Sequence, residues 1–291
     1  MTEFLRTDGG RLAYDVTGEG PLVVLAHGMG DNRGAYGALA ALLVDAGHRV
    51  ARTDLRGHGE SDAGWASYTR TDVAGDLLAL VRHLGGGSAV LVGHSFAGGA
   101  ATIAAAEEPE LVRAVVEIAP FTRAQKIDFG ALATRARYRK GMLLLMGTGL
   151  LRSVGLWKRY LRHAHPGMRA GDAAPHAPHG AGTGLDARLA SLEADLRRPG
   201  RIAVVAAMGM SAPTDAGARL ADVRCPALVV EGTLDPDWAD PRAEGEGIVA
   251  GMAAGVGRLE MVEGAGHYPH AQFPAETAAL ILGFLKDGAG A

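Results

Sequence analysis

One stretch constrains the fold more than any other: VLVGHSFAGGAA, residues 90–101. Val90, Leu91 and Val92 form an apolar, β-favouring run, and Ala97 to Ala106 is a small-residue, Ala-rich helical stretch that Pro109 stops. A strand must therefore turn directly into a helix at Ser95. Such a turn pushes its apex residue towards positive φ and crowds the strand against the helix, so only small neighbours fit. Gly93 and Ala97 lie two residues before and after Ser95, which gives G-x-S-x-G with alanine in the last place, and Gly98 keeps the helix start thin. Ser95 Oγ would project above the sheet edge, with the Phe96 and Ala97 N–H groups facing any developing anion. Taken alone, the stretch reads equally well as a glycine–serine turn between a buried strand and a helix.

The rest of the chain supplies the sheet that such a turn needs. Arg11 to Thr17, Leu22 to Ala26, Arg49 to Thr53, Leu111 to Ile118, Ala227 to Glu231 and Leu259 to Val262 read as strands. Between them, helical spacing predicts helices over Asn32 to Asp45, Thr71 to Leu84 with a Thr71–Asp72 cap, Ala243 to Met252 and Pro274 to Lys286. This alternation predicts an α/β fold, a doubly wound and mostly parallel sheet covered on both faces.

Residues 121–220 break the alternation. Helical stretches over Met142 to Leu161 and Leu185 to Arg197 flank HAHPGMRAGDAAPHAPHGAGTG, whose composition predicts a mobile loop. The expectation is a core domain of residues 1–120 and 221–291 with a helical lid inserted at 121–220. The apolar GMLLLMGTGLL segment is expected to pack on the sheet domain and roof a pocket, with a lipid-facing role as the alternative. Charge divides the same way: residues 121–220 hold sixteen Lys and Arg against six Asp and Glu, whereas the remainder holds thirteen against twenty-six. That surplus suits an anionic partner or leaving group, although Arg135, Arg137, Arg139 and Lys140 read more simply as a solvated helix face.

At 291 residues, 48% of them apolar, the chain can bury a core without metal or disulfide staples. Cys225 is its one cysteine, and no apolar run reaches the length of a membrane span, so a cytoplasmic protein is expected. Phosphate-loop and dinucleotide signatures are absent, and a basic segment without groove-reading or stacking modules does not point to nucleic acid. His163, His165, His176 and His179 have spacings that invite a metal, but a Gly/Pro loop fixes no geometry, so neither metal nor cofactor is expected.

Acyl transfer at a serine needs a base, an acid to orient it, and N–H donors for the oxyanion. His27-Gly28-Met29-Gly30 follows the apolar strand at Leu22 to Ala26, where a turn can aim the Met29 N–H at the same point as that of Phe96; His27 itself is expected to be structural. His267 lies in EGAGHYPH, a loop just after a strand, the position where open parallel sheets build their sites. His270 is the reserve base. In PALVVEGTLDPDWADP, Asp235 comes first after the Gly232 turn and is the favoured acid; Asp237 is the alternative, while Glu231 and Asp240 read as loop caps or solvated charges.

HGMG at 27–30, DLRGHGESD at 54–62, GHSFAGG at 93–99, GTLDPD at 232–237 and GAGHYP at 264–269 together resemble the α/β-hydrolase fold family, in that family's chain order. The resemblance covers essentially the whole chain outside the lid. It implies Ser95 as nucleophile, His267 as base, Asp235 as acid, and the Met29 and Phe96 amides as the oxyanion hole. It also implies that Asp54, Arg56, Gly57, Gly59 and Ser61 form a structural turn near the site. Ala97 departs from the pattern, which tightens packing at the turn. Haloalkane dehalogenases and epoxide hydrolases of the family use aspartate where Ser95 stands, so those two chemistries are not expected. The expected activity is hydrolysis of a carboxylic ester of a small to medium hydrophobic molecule. Thioester or lactone hydrolysis on an anionic or carrier-linked acyl group is the runner-up. A ligand sensor or a non-hydrolytic lyase is the rival of another class.

Overall fold

The computed structural model describes residues 1–124, 126–168 and 184–288. The chain opens with strand β1 (Glu3–Thr7), β2 (Gly10–Thr17), β3 (Leu22–Ala26), helix α1 (Gly37–Asp45), β4 (Arg49–Thr53), α2 (Arg70–Leu84), β5 (Ala89–His94), α3 (Phe96–Glu107) and β6 (Val112–Ile118). It continues through α4 (Phe129–Thr134), α5 (Ala136–Leu151), α6 (Val154–His163), α7 (Leu185–Leu196), α8 (Arg201–Met210) and the short α9 (Thr214–Gly217). Strand β7 (Ala227–Gly232), α10 (Pro241–Gly251), β8 (Gly257–Val262), α11 (Pro269–Gln272) and α12 (Pro274–Gly288) complete it.

The eight strands lie in the order β1-β2-β4-β3-β5-β6-β7-β8. β2 runs antiparallel to both of its neighbours, and the remaining pairs are parallel. β3, β5 and β7 are buried at every position, because helices cover both faces of a parallel sheet. Alternation then sorts the side chains: Leu22, Val24 and Leu91 join the core beneath α2, α3 and α10, whereas Val23, Leu25 and Val92 join the core beneath α1 and α12.

Two local readings of the sequence are corrected and a third is made more specific. The N-cap of α2 is Thr69, in a reciprocal box with Asp72, because Thr69 keeps extended backbone and bonds the Asp72 N–H at 3.1 Å. The helix expected over Met142 to Leu161 is two helices, since Arg152 turns left-handed (φ 47°) and Ser153 caps α6. The apolar α5 segment packs on one side only: Tyr138, Met142 and Thr148 are buried, while Leu143, Met146 and Leu150 are exposed. β1 and α8 were not anticipated.

Between β6 and β7 the described chain is helical, and it has a core of its own, in which Trp157, Tyr160 and Leu161 of α6 meet Leu185, Leu189 and Leu192 of α7. Tyr268, from the loop after β8, belongs to that same cluster. Gly141 on α5 lets that helix close onto the turn after β7, for a Cβ there would stand 2.5 Å from the Pro236 carbonyl oxygen. Among the described residues, no helix is long and apolar enough to cross a membrane.

Candidate active site

The loops that follow β3, β5, β7 and β8 carry His27 to Asp31, Ser95, Asp235 and His267 at the carboxyl edge of the sheet, where open α/β sheets bind ligands. Ser95 has φ 53° and ψ −115°, a conformation that costs a non-glycine residue energy and persists only where its surroundings enforce it. They do so here. The Ser95 N–H donates to Ile118 O (2.9 Å), and its carbonyl accepts from the Gly98 and Phe121 N–H groups (3.0 and 3.1 Å). At Gly93 a Cβ would meet the Ala97 carbonyl oxygen at 2.2 Å, so the strand could not pass the helix with any larger residue. Ala97 is completely buried in the place where the pattern has glycine.

The loop after β3 is fixed on both sides of Met29. His27 Nε2 accepts the Leu55 N–H at 3.0 Å and its Nδ1 lies 2.7 Å from the Gly28 carbonyl, a structural histidine whose burial keeps it neutral by pushing it down to about 4. His58 Nε2 accepts the Gly30 N–H at 2.9 Å, and the Trp157 indole N–H donates to the Gly30 carbonyl at 3.0 Å. Arg188 of α7 pairs with the buried Asp31 carboxylate and holds it below the usual range against the opposing effect of burial. Phe96 N–H lies in the first turn of α3, where helical amides have no internal acceptor. Neither it nor the Met29 N–H donates to another group among the described residues.

His267 is buried, and its Nδ1 stands 2.7 Å from Asp235 Oδ2 and 3.4 Å from Asp237 Oδ2. The Asp237 N–H in turn donates to Asp235 Oδ1 at 2.9 Å, and the Tyr160 hydroxyl of α6 donates to Asp237 Oδ2 at 2.7 Å. Burial acts to lower the imidazole, but the Asp235 and Asp237 charges and the Asp235 hydrogen bond outweigh it and push His267 up to about 9. Asp237 is pushed up to about 7 by burial, with Asp235 adding to the rise and the His267 charge and the Tyr160 hydroxyl opposing it. The His267 backbone is anchored from the insertion as well, its N–H donating to the Ala164 carbonyl at 3.0 Å.

Ser95 and His267 share their neighbours. The ring of His94 lies 4.9 Å from that of His267 and its Nε2 is 2.8 Å from the His267 carbonyl. Phe121, whose N–H bonds Ser95 O, sets its ring edge-on 5.9 Å from the imidazole. No hydrogen bond joins the Ser95 hydroxyl to His267 among the described residues, and such contacts commonly tighten only when substrate binds.

Other singled-out residues fall elsewhere. His270 stacks on Tyr36 at 4.6 Å, and burial pushes it down to about 3; Asp235, on the loop after β7, meets His267 instead. Asp240 caps α10 through the Ala243 N–H, as a loop acid should. Glu231 is not a cap or a solvated charge: it is fully buried and lifted well above the carboxylate range, first by burial and then by Asp235. Asp54 accepts the Arg33 and Glu60 N–H groups at 2.8 and 2.9 Å, and Arg56 grips Asp76 through two bonds of 2.7 and 2.8 Å, so the 54–61 turn is a scaffold. In the insertion, Arg137 is half-buried, unlike its exposed neighbours Arg135, Arg139 and Lys140. His163 and His165 each bond a backbone carbonyl, while His176, His179 and most of the loop expected to be mobile lie outside the described residues. Asp235, Asp237 and His267 are the one group of three with metal-ligand spacing among the described residues, and the 2.7 Å Nδ1–Oδ2 hydrogen bond already occupies it.

Trp157, Tyr160 and Ala164 were not anticipated as site residues. Trp157 and Tyr160 stand three apart on α6 and Ala164 offers its carbonyl at the helix end, but nothing in the sequence said which loops they would meet.

Comparison with known proteins identifies the fold and the family. The profile of the alpha/beta hydrolase fold matches residues 21–273. The chain is 30% identical over 291 residues to a 2-(acetamidomethylene)succinate hydrolase of Mesorhizobium japonicum (strain LMG 29417 / CECT 9101 / MAFF 303099), covering 96% of this chain and 94% of that protein. Over 137 residues it is 33% identical to an epoxide hydrolase of Caballeronia sordidicola, covering 46% of this chain and 42% of that protein. A thermophilic esterase from Thermogutta terrifontis superposes with a TM-score of 0.71 at 23% identity, over 99% of this chain and 98% of that one. The chain is a hydrolase that belongs to the α/β-hydrolase fold family.

Proposed function

We propose that the chain is a serine hydrolase that cleaves a carboxylic ester of a small to medium hydrophobic molecule through an acyl-enzyme. The observation that carries the reading is the 2.7 Å bond from Asp235 to His267 Nδ1, on loops adjoining a serine held at φ 53°. With Nδ1 committed to Asp235, Nε2 is the nitrogen left to take a proton. Ser95 Oγ attacks the acyl carbonyl as its proton passes to His267 Nε2. The tetrahedral anion is met by the Met29 and Phe96 N–H groups, and His267 then protonates the leaving alcohol. Water, deprotonated by the same imidazole, releases the acid. Residues 121–220 act as the lid over this site, with α6 bound directly to the loops that carry it. Epoxide opening, named for the shorter match, is disfavoured by Ser95, because epoxide hydrolases of the family use an aspartate at that position.

A second reading has one observation in its favour: the relative matched over nearly the full chain is named for a succinate-bearing substrate, which suits an anionic acyl compound. A thioester or a lactone would use the same residues. Fluorophosphonate labelling tests the shared chemistry: the wild type takes up the label at Ser95 and Ser95→Ala does not, and equal labelling of both proteins overturns the assignment. Matched ester, thioester, lactone and succinyl-amide panels at two salt concentrations then choose among the substrates.

A further inference from the structure

The outer face of α5 carries a row of apolar side chains. Leu143, Met146 and Leu150, at helical spacing, are 65%, 61% and 85% exposed, and Leu151 at the helix end is 67% exposed. Poor packing is not the reason, because the inner face of the same helix buries Tyr138, Met142 and Thr148. Phe129 and Met210, on α4 and α8, which both pack against α5, are 78% and 83% exposed. Exposed apolar residues scattered singly need no explanation, whereas a contiguous row of them marks a surface that something covers.

Charge identifies what covers it. From Ala136 to Leu151 the helix has neither Asp nor Glu, while Arg135, Arg139 and Lys140 stand exposed around its start and Arg152 at its end. Arg135 and Arg139 bond only backbone carbonyls, of Ala239 and of Leu132 and Ala133, which leaves their charge uncompensated. Other cations between β6 and β7 meet acids, as Lys158 does Glu193, Arg162 does Asp186 and Arg198 does Asp195. A second copy is a poor occupant: pairing α5 with itself sets cation against cation in either direction, with no acid on the helix to relieve it. An anionic bilayer answers both features, its acyl boundary taking the leucines and methionine and its headgroups taking the flanking cations.

We propose that α5 docks this protein flat on anionic lipid surfaces, with Leu143, Met146 and Leu150 in the acyl boundary. The docking does not depend on the acyl chemistry and is measured without it. Co-sedimentation with phosphatidylcholine vesicles, and with the same vesicles containing phosphatidylglycerol, is the experiment. The wild type is expected to pellet with the anionic vesicles and not with the zwitterionic ones. Leu143→Asp/Met146→Asp/Leu150→Asp should weaken this by at least about tenfold. Arg139→Ala/Lys140→Ala should cost about fivefold per cation. Both variants should unfold at the wild-type temperature, and the cation pair carries the test should the triple variant fail to fold. Absence of pelleting with either vesicle, or equal pelleting with both, overturns the proposal. So does a concentration-dependent dimer that the same substitutions dissolve while no lipid is bound.

Discussion

The carboxyl edge of the sheet and the helix α6 grip the same histidine, and they grip it differently. From the sheet side, Asp235 reaches Nδ1 at 2.7 Å across the loops that follow β7 and β8, neighbouring strands whose parallel register fixes where those loops begin. From the insertion side, Ala164 holds the His267 N–H, Tyr160 holds Asp237, and Trp157 holds Gly30. The first contact bears on the proton that the imidazole shares. The others bear on the backbone and on the second carboxylate, so they set the frame within which the first one works. Under the proposed mechanism the sheet supplies the reacting groups and α6 keeps their separations.

Substitutions separate the two contributions, and the sheet side should give the largest loss. Asp235→Asn keeps the shape but frees the imidazole to take the wrong tautomer, and turnover is expected to fall about ten-thousand-fold. A fall as small as that of Asp237→Asn would mean that the two aspartates share the role. Arg188→Ala probes how firmly the insertion is tied to the loop after β3, because it strands the buried Asp31 carboxylate. Chemical denaturation should register about 3 kcal/mol of lost stability, and a loss within experimental error would show that α7 and that loop are uncoupled.

The pH profile distinguishes the two grips further. In the proposed mechanism His267 must be neutral to accept the Ser95 proton, so wild-type kcat/KM should climb with pH until the imidazole loses its proton at about 9. The charged groups facing it are Asp235 and Asp237, with Arg137 from α5 near both; His94, Tyr160 and Tyr268 supply the surrounding rings. Asp237→Asn removes one anion, so the climb should move to lower pH by on the order of one unit, with about a tenfold loss at the plateau. Tyr160→Phe is the mildest change. Without that hydroxyl Asp237 holds its proton to higher pH, and the climb should move the same way by a fraction of a unit, with a loss of only about threefold. A profile that stays in place in both variants would reduce α6 to a packing element.

How much of this could be read beforehand follows the same division. The Ser95 turn was legible because its tightest steric demand is local, a Cβ at Gly93 meeting Ala97, whereas Gly98 makes room for the distant Pro120. Strands β3 and β7 were legible because burial on both faces leaves little but Val, Leu and Ala. The favoured bases and acids were placed by their position after strands, and the structure brings His267 to Asp235 while turning His270 towards Tyr36. The α2 cap was misplaced by two residues, since the reading took the adjacent pair Thr71–Asp72 and passed over the three-residue spacing of Thr69 and Asp72 that a reciprocal box requires. Glu231 could not be recognised as buried, because a lone acid at a strand end carries no sign of what covers it. The contacts of Trp157 and Tyr160 were invisible for a simpler reason: they join segments far apart in sequence, and no spacing encodes which loop a helix face will meet.

The indole of Trp157 has one more consequence. It is 2% exposed, stacked on Tyr160 at 4.9 Å, and bonded to the loop that carries Met29. Indole emission shifts to longer wavelength on contact with water, so with Trp65 and Trp238 replaced, the colour of this one residue would report, in real time, whether α6 parts from that loop during a turnover cycle.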